Sequence, residues 1–333
     1  MSKPPRISVF ITSYNQRDYL REAIDSVLAQ TLRPLEIMIL DDGSTDGSRE
    51  LITAVAQQHP GLVRAILHPR NLGVARNKAH AQRHARGDWI TYLDGDDRYL
   101  PHKLEQEWDT LQDFPDARAA YSNFHFIDAE GQRTGTWADA GQAMPSGDVF
   151  AQVFTRDFPG HVVFRNELVA RQCIQTIGAY DERRATHEDW DFKLRLTRRY
   201  KVVYCPQPAV EYRRYPGGLS QASDDARLLG EHAAVYENNR SLLRGLSPPH
   251  KAKLDQTARD HIAHRAEKLV RKLVREGHRG QALRVVAQFR QYLPARAGAR
   301  VVLSKKLYSR LTPWLDPRSV KSSEPSDGSA NDE

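Results

Sequence analysis

The sequence is poor in cysteine and contains no long apolar run. Its two cysteines, Cys173 and Cys205, cannot form a disulfide framework. No stretch approaches the ~18 consecutive apolar residues that span a bilayer. The first ten residues, MSKPPRISVF, lack the apolar core of a secretory signal. These absences exclude a disulfide-stabilised secreted domain, and we expect a cytoplasmic protein that is soluble or attached to a surface.

The charge of the chain is concentrated in one segment. The composition is otherwise that of a globular protein, with 40% hydrophobic and 27% charged residues over 333 positions. Residues 241–320 hold 18 Lys or Arg against 5 Asp or Glu, whereas the whole chain has a formal net charge of +7. Such a basic segment predicts an anionic partner: a membrane surface, a nucleic acid or an acidic lipid-linked substrate.

Hydrophobic periodicity predicts an α/β fold in the first third of the chain. Four short apolar runs, at residues 7–11, 35–40, 63–67 and 89–93, are each followed by a polar loop. Amphipathic helical patterns follow the first three loops. This alternation predicts a parallel sheet covered on both faces, with ligands bound at the carboxyl ends of its strands. After about residue 115 the pattern changes to mixed strands with long loops.

The C-terminal part has a different character. Residues 224–316 are basic and largely helical, with a helical hairpin that turns at Gly277 to Gly280. One hairpin buries too little surface to form a repeat domain, so we expect an appendage packed on the preceding domain. Residues 317–333 contain few apolar side chains, which predicts a disordered tail.

Two polar loops offer groups that could bind a nucleoside. In the first loop, the ring of Tyr14 could stack on a base, or its neighbours could only cap the next helix. In the second loop, Asp41 and Asp42 could accept hydrogen bonds from a base N–H or from ribose hydroxyls. Asp46 of that loop could instead be a helix N-cap.

Two acidic clusters suggest chemistry. Asp94, Asp96 and Asp97 follow the fourth apolar run, and such clustering is unfavourable without a cation, which predicts bound Mg²⁺ or Mn²⁺. Glu188 and Asp189 lie in a segment that starts a predicted helix. They could be acids favoured by the helix dipole, or one could be a general base in a sugar site.

Five motifs together identify a family resemblance. They are SVFITSYNQRDYLREAIDSVLAQT, EIMILDDGSTDGS, NLGVARNKA, GDWITYLDGDD and GAYDERRATHEDWDFKLRL, and they cover roughly residues 6–215 in order. The chain thereby resembles glycosyltransferase family 2, the inverting nucleotide-sugar enzymes of the GT-A fold. The resemblance implies a Rossmann-like mixed sheet flanked by helices. It divides residues 1–223 into a nucleotide-binding half (1–100) and an acceptor-binding half (101–223).

The resemblance also implies roles for individual residues. Asp189 would be the catalytic base with Glu188 beside it, and Asp96 would hold the metal ion. The implied nucleotide-sugar-binding residues are Thr12, Tyr14, Asp42, Arg76, Asp94 and Arg213. The acceptor is expected to contact the less patterned region 124–187, through Trp137, His161 and Arg184.

The expected function is metal-dependent, inverting transfer of one sugar from a UDP-sugar to an acceptor hydroxyl, in cell-surface polysaccharide or glycolipid assembly. The QxxRW motif of processive synthases is absent, which favours one sugar per binding event. The alternative is a non-catalytic scaffold that binds a membrane or a polyanion through residues 241–320. No aromatic-rich or zinc motif supports nucleic-acid binding. Residues 301–315 could form an interfacial membrane helix at the cytoplasmic leaflet, or a solvated basic face.

Overall fold

The computed structural model describes residues 4–218 and 225–293. The strands are β1 (Ile7–Ser13), β2 (Glu36–Asp41), β3 (Val63–Leu67), β4 (Trp89–Asp94), β5 (Arg98–Tyr99), β6 (Ala117–Ile127), β7 (Arg133–Thr136), β8 (Leu168–Ala170) and β9 (Lys201–Arg213). The α-helices are α1 (Arg17–Leu28), α2 (Ser48–Gln58), α3 (Val74–His84), α4 (Lys103–Asp113), α5 (Phe150–Thr155), α6 (Arg171–Ile177), α7 (Glu188–Thr197), α8 (Asp225–Asn239), α9 (Pro248–Arg275) and α10 (Arg279–Gln288).

One mixed sheet organises these elements. Its strand order is β3-β2-β1-β4-β8-β6-β9-β5, with β7 paired to β6. The strands β1 to β4 are parallel, as the alternation of apolar runs and helices predicts. Strand β8 is antiparallel to both of its neighbours, β4 and β6, so the sheet is mixed in its second half. The predicted α/β class, with a mixed sheet flanked by helices, is confirmed.

The central strands are buried along their whole length. All seven residues of β1 and all six of β2 are buried. Helix α3 packs against both of these strands and places its small residues, such as Ala75 and Ala79, in the core. Strands covered on both faces need near-continuous apolar sequence, which explains the runs ISVFI and LEIMIL, whose two polar residues, Ser8 and Glu36, hydrogen-bond to each other.

Parallel pairing brings three polar loops to one edge of the sheet. Thr12 lies opposite both Leu40 of β2 and Asp94 of β4. The loops that follow β1, β2 and β4 therefore start side by side. Gly95 allows the closest approach among them, since a Cβ atom there would lie 2.9 Å from the Thr12 carbonyl oxygen. The Gly95 N–H donates to that same oxygen at 2.8 Å.

An aromatic cluster fills the interior beside β6. It contains Tyr121 and Phe124 of β6, together with Trp137, Phe158 and Phe164 from the segments that follow. The Trp137 ring stacks on Phe124 at a centroid distance of 4.9 Å. This packing anchors the long connections between β7 and β8 to the sheet.

The chain divides into two compact units, with the boundary between Ala258 and Arg259 inside α9. The first unit holds the sheet and helices α1 to α8. In the second, α9 ends at Arg275 and α10 begins at Arg279, so the predicted hairpin turn is present. The predicted domain boundaries, 1–223, 224–316 and 317–333, stay predictions, and the tail lies outside the described residues. None of the described helices is long and apolar enough to cross a membrane.

Candidate active site

Tyr14 is the exposed aromatic residue at the carboxyl edge of the sheet. Tyr14 is the first residue after β1, and it is 48% exposed. The next residue, Asn15, has a φ of 50° and ties the first loop to the second. Its Oδ1 accepts from the Thr45 N–H, and its own N–H donates to Ser44 Oγ, both at 2.9 Å. The ring of Tyr14 is therefore presented on an ordered turn, as base stacking requires.

Asp42 is buried and holds the loop that precedes α3. Its Oδ1 accepts from the Leu72 N–H at 2.7 Å and its Oδ2 from the Gly73 N–H at 2.9 Å. Each carboxylate oxygen can accept a second hydrogen bond, so a base N–H can still be recognised here. The pairing fixes Asp42 at the edge of the sheet.

Asp94 is the most fully paired carboxylate of the site. Its Oδ1 accepts from Thr12 Oγ1 at 3.2 Å and lies 3.0 Å from Lys78 Nζ. Its Oδ2 accepts from Arg165 Nη2 at 3.0 Å. Burial alone would raise the pKa of Asp94, but the charges of Lys78 and Arg165 outweigh it and hold this pKa below its ordinary value. Asp94 is therefore ionised.

Asp96 and Asp97 have fewer charged partners than Asp94, since Arg165 Nη2 lies 3.0 Å from Asp94 Oδ2 but 3.5 Å from Asp97 Oδ2. Asp96 Oδ2 accepts from the Tyr215 hydroxyl at 3.1 Å, and no ion pair of Asp96 occurs within residues 4–218 and 225–293. Burial and the neighbouring Asp94 charge raise the pKa of Asp96. Asp97 is fully buried, and burial together with Asp96 raises its pKa well above the ordinary value. Its Oδ2 has no hydrogen-bond partner within the described residues.

Glu188 and Asp189 form the first turn of α7. Asp189 Oδ1 accepts from the Trp190 N–H and its Oδ2 from Lys193 Nζ, each at 2.8 Å. Burial would raise the pKa of Asp189, but Lys193 and Lys78 outweigh it and hold the pKa far below the ordinary value. The Asp189 side chain is 31% exposed, whereas Lys193 is fully buried behind it. An ionised carboxylate thus faces the open side of the site.

Lys78 connects the two acidic clusters. Its Nζ lies 3.0 Å from Asp94 Oδ1 and 3.2 Å from Glu188 Oε1. The two oxygens are therefore separated by no more than the sum of these distances, although 93 residues of sequence lie between them. Carboxylates from the two predicted motifs share one site.

The structure places Arg213 in the interior, with 2% exposure. Its guanidinium donates to the Asp96 and Ala129 carbonyl oxygens and to Glu22 Oε2, all at 2.8 Å. It also stacks on the Tyr19 ring. Arg213 therefore fixes the loop that carries Asp96, rather than lying open to a phosphate as we expected. Arg76, by contrast, is exposed in the first turn of α3.

The three expected acceptor residues have separate surroundings. Trp137 is packed in the aromatic cluster, and its Nε1–H donates to the Val162 carbonyl oxygen at 3.1 Å. His161 is exposed and has a φ of 57°. Arg184 Nε donates to Asp181 Oδ2 at 3.1 Å. The burial of Trp137 is that of a core residue, so we do not include it in the site.

The sequence did not single out three cations that pair with the acidic residues of the site, Lys78, Arg165 and Lys193. Arg165 reaches Asp94 because β8 is antiparallel to β4, which places the residues before β8 at the carboxyl end of β4. Lys193 follows Asp189 by four residues on α7, a spacing that puts both on one helix face. That spacing was the available signal. Nothing local marked Lys78.

Comparisons with known proteins indicate a similarity to glycosyltransferases. Residues 8–167 match the family model Glycosyl transferase family 2. An uncharacterized glycosyltransferase of Nostoc sp., alr2836, is 44% identical over 108 residues, which is 32% of this chain and 33% of the relative. Another from Methanocaldococcus jannaschii, MJ1057, is 28% identical over 211 residues, 63% of this chain and 71% of the relative.

Curated relatives are matched over part of their length. The chain spans 33% of the Nostoc protein and 60% of the uncharacterized Mycobacterium tuberculosis protein Rv1520, to which it is 28% identical over 224 residues, 64% of this chain. The crystal structure of S. aureus TarS 1-349 in complex with UDP-GlcNAc has the same fold, with a TM-score of 0.65 at 16% identity. That alignment covers 93% of this chain and 86% of the TarS chain. Segment 8–167 of the chain is therefore similar to glycosyltransferase family 2.

Proposed function

We propose that the chain transfers one sugar from a nucleotide sugar, most suitably a UDP-sugar, to an acceptor hydroxyl with inversion at the anomeric carbon. The observation that carries the proposal is the Lys78 bridge, because it unites the Asp94 cluster and the start of α7 in one site. The family match supports the reaction class. The TarS complexes with UDP and with UDP-GlcNAc support a UDP-linked donor.

The donor would bind across the carboxyl ends of β1, β2 and β4. The exposed ring of Tyr14 supplies a flat surface for the base, and Asp42 supplies an acceptor for a base N–H. Thr12 and Asp94 lie between that surface and α7, in a suitable place for the ribose. Arg76 is an exposed cation in the first turn of α3 and would contact the diphosphate.

The donor set at Asp96 fits a divalent cation. Three carboxylates lie within four residues of sequence, and the buried Asp97 Oδ2 lacks a hydrogen-bond partner within the described residues, although Arg165 Nη2 is 3.5 Å away. We assign Asp96 as the residue that would hold Mn²⁺ or Mg²⁺. Within residues 4–218 and 225–293, including this loop, no group of three or more His, Cys, Asp and Glu side chains is placed to hold a metal by itself. A site with one or two carboxylates suits these ions when substrate phosphates complete the coordination. When bound, the cation neutralises charge on the departing diphosphate.

Asp189 is the residue placed to accept the proton. In the displacement, the acceptor oxygen forms a bond to the anomeric carbon while the bond to the diphosphate oxygen breaks. The acceptor hydroxyl proton passes to Asp189. Because the pKa of Asp189 is held low, the transfer is favourable only as the attacking oxygen becomes acidic during bond formation. One displacement inverts the anomeric configuration.

Turnover with a panel of UDP-sugars tests the proposal. The purified chain is incubated with each donor and Mn²⁺, and UDP release and the anomeric configuration of the product are measured. We expect UDP release with at least one donor, a β-linked product from an α-linked donor, and loss of release in EDTA. A chain that neither binds UDP nor releases it from any donor would be the non-catalytic scaffold instead.

We also propose a role for the basic segment 241–320 in contact with an anionic surface, at the inner face of the cell membrane where a lipid-linked acceptor could be presented. Its described part, residues 241–293, holds 12 Lys or Arg against 4 Asp or Glu. Residues 301–315 lie outside the described residues. Flotation with anionic vesicles at low salt tests this role, and absence of binding would contradict it. Assembly of a cell-surface polysaccharide or glycolipid would follow from such an acceptor.

A further inference from the structure

We infer that Lys78 is a positioning residue for the reaction proposed above, on which this inference rests. Its ammonium holds the donor-side carboxylate of Asp94 and the base-side carboxylate of Glu188 in one fixed arrangement.

The first observation is that Lys78 is buried on a rigid element. The residue is 4% exposed on α3, which packs against β1 and β2. The preceding Asn77 anchors this turn, since its Nδ2 donates to the Leu40 carbonyl oxygen at 3.2 Å. A buried ammonium costs several kcal/mol unless charged partners compensate it. The carboxylates of Asp94 and Glu188 therefore hold the ammonium of Lys78 in position, and the ammonium in turn helps to hold the two carboxylates.

The second observation is that two other elements, β4 and α7, meet at the Nζ of Lys78 on α3. Asp94 ends β4, Glu188 begins α7, and Nζ also lies 4.5 Å from the ring centroid of Tyr92. These elements belong to the two predicted halves of the site. An interaction that joins them fixes the distance between the donor loop and the turn that carries Asp189.

The third observation is an asymmetry between the two carboxylates. Asp94 also pairs with Arg165 and accepts a hydrogen bond from Thr12. Within the described residues, Lys78 is the cation that lies within ion-pair distance of Glu188. Loss of Lys78 would thus leave Asp94 held and release Glu188. Because Asp189 follows Glu188 in sequence, the loss of Lys78 would disturb the position of the proposed base and leave the donor loop with Asp94 in place.

This asymmetry predicts different effects on the two steady-state constants. In Lys78→Met, kcat should fall by at least ~10-fold, because the base turn loses its alignment. The KM for the donor and the affinity for UDP with Mn²⁺ should stay within about threefold of the unchanged chain, because Asp94 keeps its other partners. A lysine that served stability alone would leave kcat of the folded protein unaltered.

Lys103→Met is the matched control. Lys103 is also fully buried and pairs with Glu107 at 2.8 Å, four residues along α4. Its removal should lower the temperature of unfolding, while kcat per folded molecule stays within about twofold.

A double-mutant cycle completes the experiment. The full chain is prepared as Lys78→Met, Glu188→Gln and the double variant. For each, kcat is measured as UDP release from the best UDP-sugar of the panel, and the affinity for UDP is measured by calorimetry. If Lys78 acts through Glu188, the kcat of the double variant should be about equal to that of the single variant with the lower kcat. The double variant also removes both charges of the pair, so it carries the test if Lys78→Met alone does not fold.

Three results would overturn the inference. The first is a kcat for Lys78→Met within twofold of that of the unchanged chain, and the second is a rise in the donor KM at constant kcat. The third is a kcat of the double variant lowered by the product of the two single-variant factors. Failure of the proposed function itself looks different, since the unchanged chain would then release no UDP from any donor.

Discussion

Lys193→Met should make kcat for UDP release fall at acidic pH, where the unchanged chain keeps its kcat. Lys193 is fully buried, and its Nζ lies 2.8 Å from Asp189 Oδ2 and 3.7 Å from Glu167 Oε2. Burial opposes ionisation of Asp189, and Lys193 is the largest of the charges that overcome it. Substitution by Met keeps the volume and length of the side chain but removes that charge. The pKa of Asp189 must therefore rise.

The size of the rise follows from the contact. A cation within about 4 Å lowers the pKa of a carboxylate by ~1–3 units, so its loss restores a shift of that order. Each unit corresponds to about 1.4 kcal/mol between the ionised and protonated forms. Lys78 remains in place, which limits the rise. The variant should also be destabilised by ~3–5 kcal/mol, because a buried ion pair loses one partner and the carboxylate of Glu167 stays in the core.

The sign of the pH effect is set by the direction of the shift. In the unchanged chain Asp189 stays ionised far below neutral pH, so kcat should not fall on its account between about pH 8 and about pH 5. In Lys193→Met the base becomes protonated at a higher pH, and kcat should fall as the pH is lowered through that new value. The low native pKa also stabilises the fold above the unfolded-state pKa, and this contribution is lost on acidification.

The assay measures UDP release at saturating donor across the pH range, normalised to folded protein by circular dichroism. Lys103→Met serves again as the control, because it removes a buried ammonium that pairs with Glu107 instead. Profiles for Lys193→Met and the unchanged chain that superimpose after scaling would refute the reasoning.

Three further substitutions test separate parts of the site. Tyr14→Ala should weaken UDP binding by ~1–3 kcal/mol through lost base stacking while Tyr14→Phe does not, and calorimetry would show equal affinities if the ring were not used. Asp96→Ala should reduce the Mn²⁺ dependence of UDP binding, so an unaltered titration with metal would remove Asp96 as the ligand. Gly95→Ala should destabilise the fold by ~1–3 kcal/mol, since the added Cβ meets the Thr12 carbonyl oxygen at 2.9 Å, and urea unfolding with an unchanged midpoint would contradict this close approach.

The first half of the fold could be predicted from local pattern. The runs at residues 7–11, 35–40 and 89–93 are strands because continuous apolar sequence of that length is buried on both faces. Their parallel pairing then places the loops with Tyr14 and Asp94 at one edge. That inference needed only the order of strands and helices.

Long-range partners could not be predicted in the same way. Nothing near Arg165 indicates that three-residue β8 inserts between β4 and β6 and delivers this cation to Asp94. A helical pattern likewise marks the buried face of α3 but does not identify the carboxylates that neutralise Lys78. Arg213 was expected to bind the nucleotide sugar from the family resemblance, whereas the structure buries it at the end of β9 against backbone carbonyls.

The central claim is that Asp189 accepts the acceptor's proton in a site that binds the donor independently of it. The most direct test compares Asp189→Asn with the unchanged chain in UDP release and in UDP calorimetry with Mn²⁺, using Asp88→Asn as a control on the exposed amino-terminal side of β4. We predict that Asp189→Asn loses ~10²–10⁴ in kcat while UDP affinity stays within about threefold, and that Asp88→Asn changes neither. Turnover near that of the unchanged chain in Asp189→Asn would contradict the account.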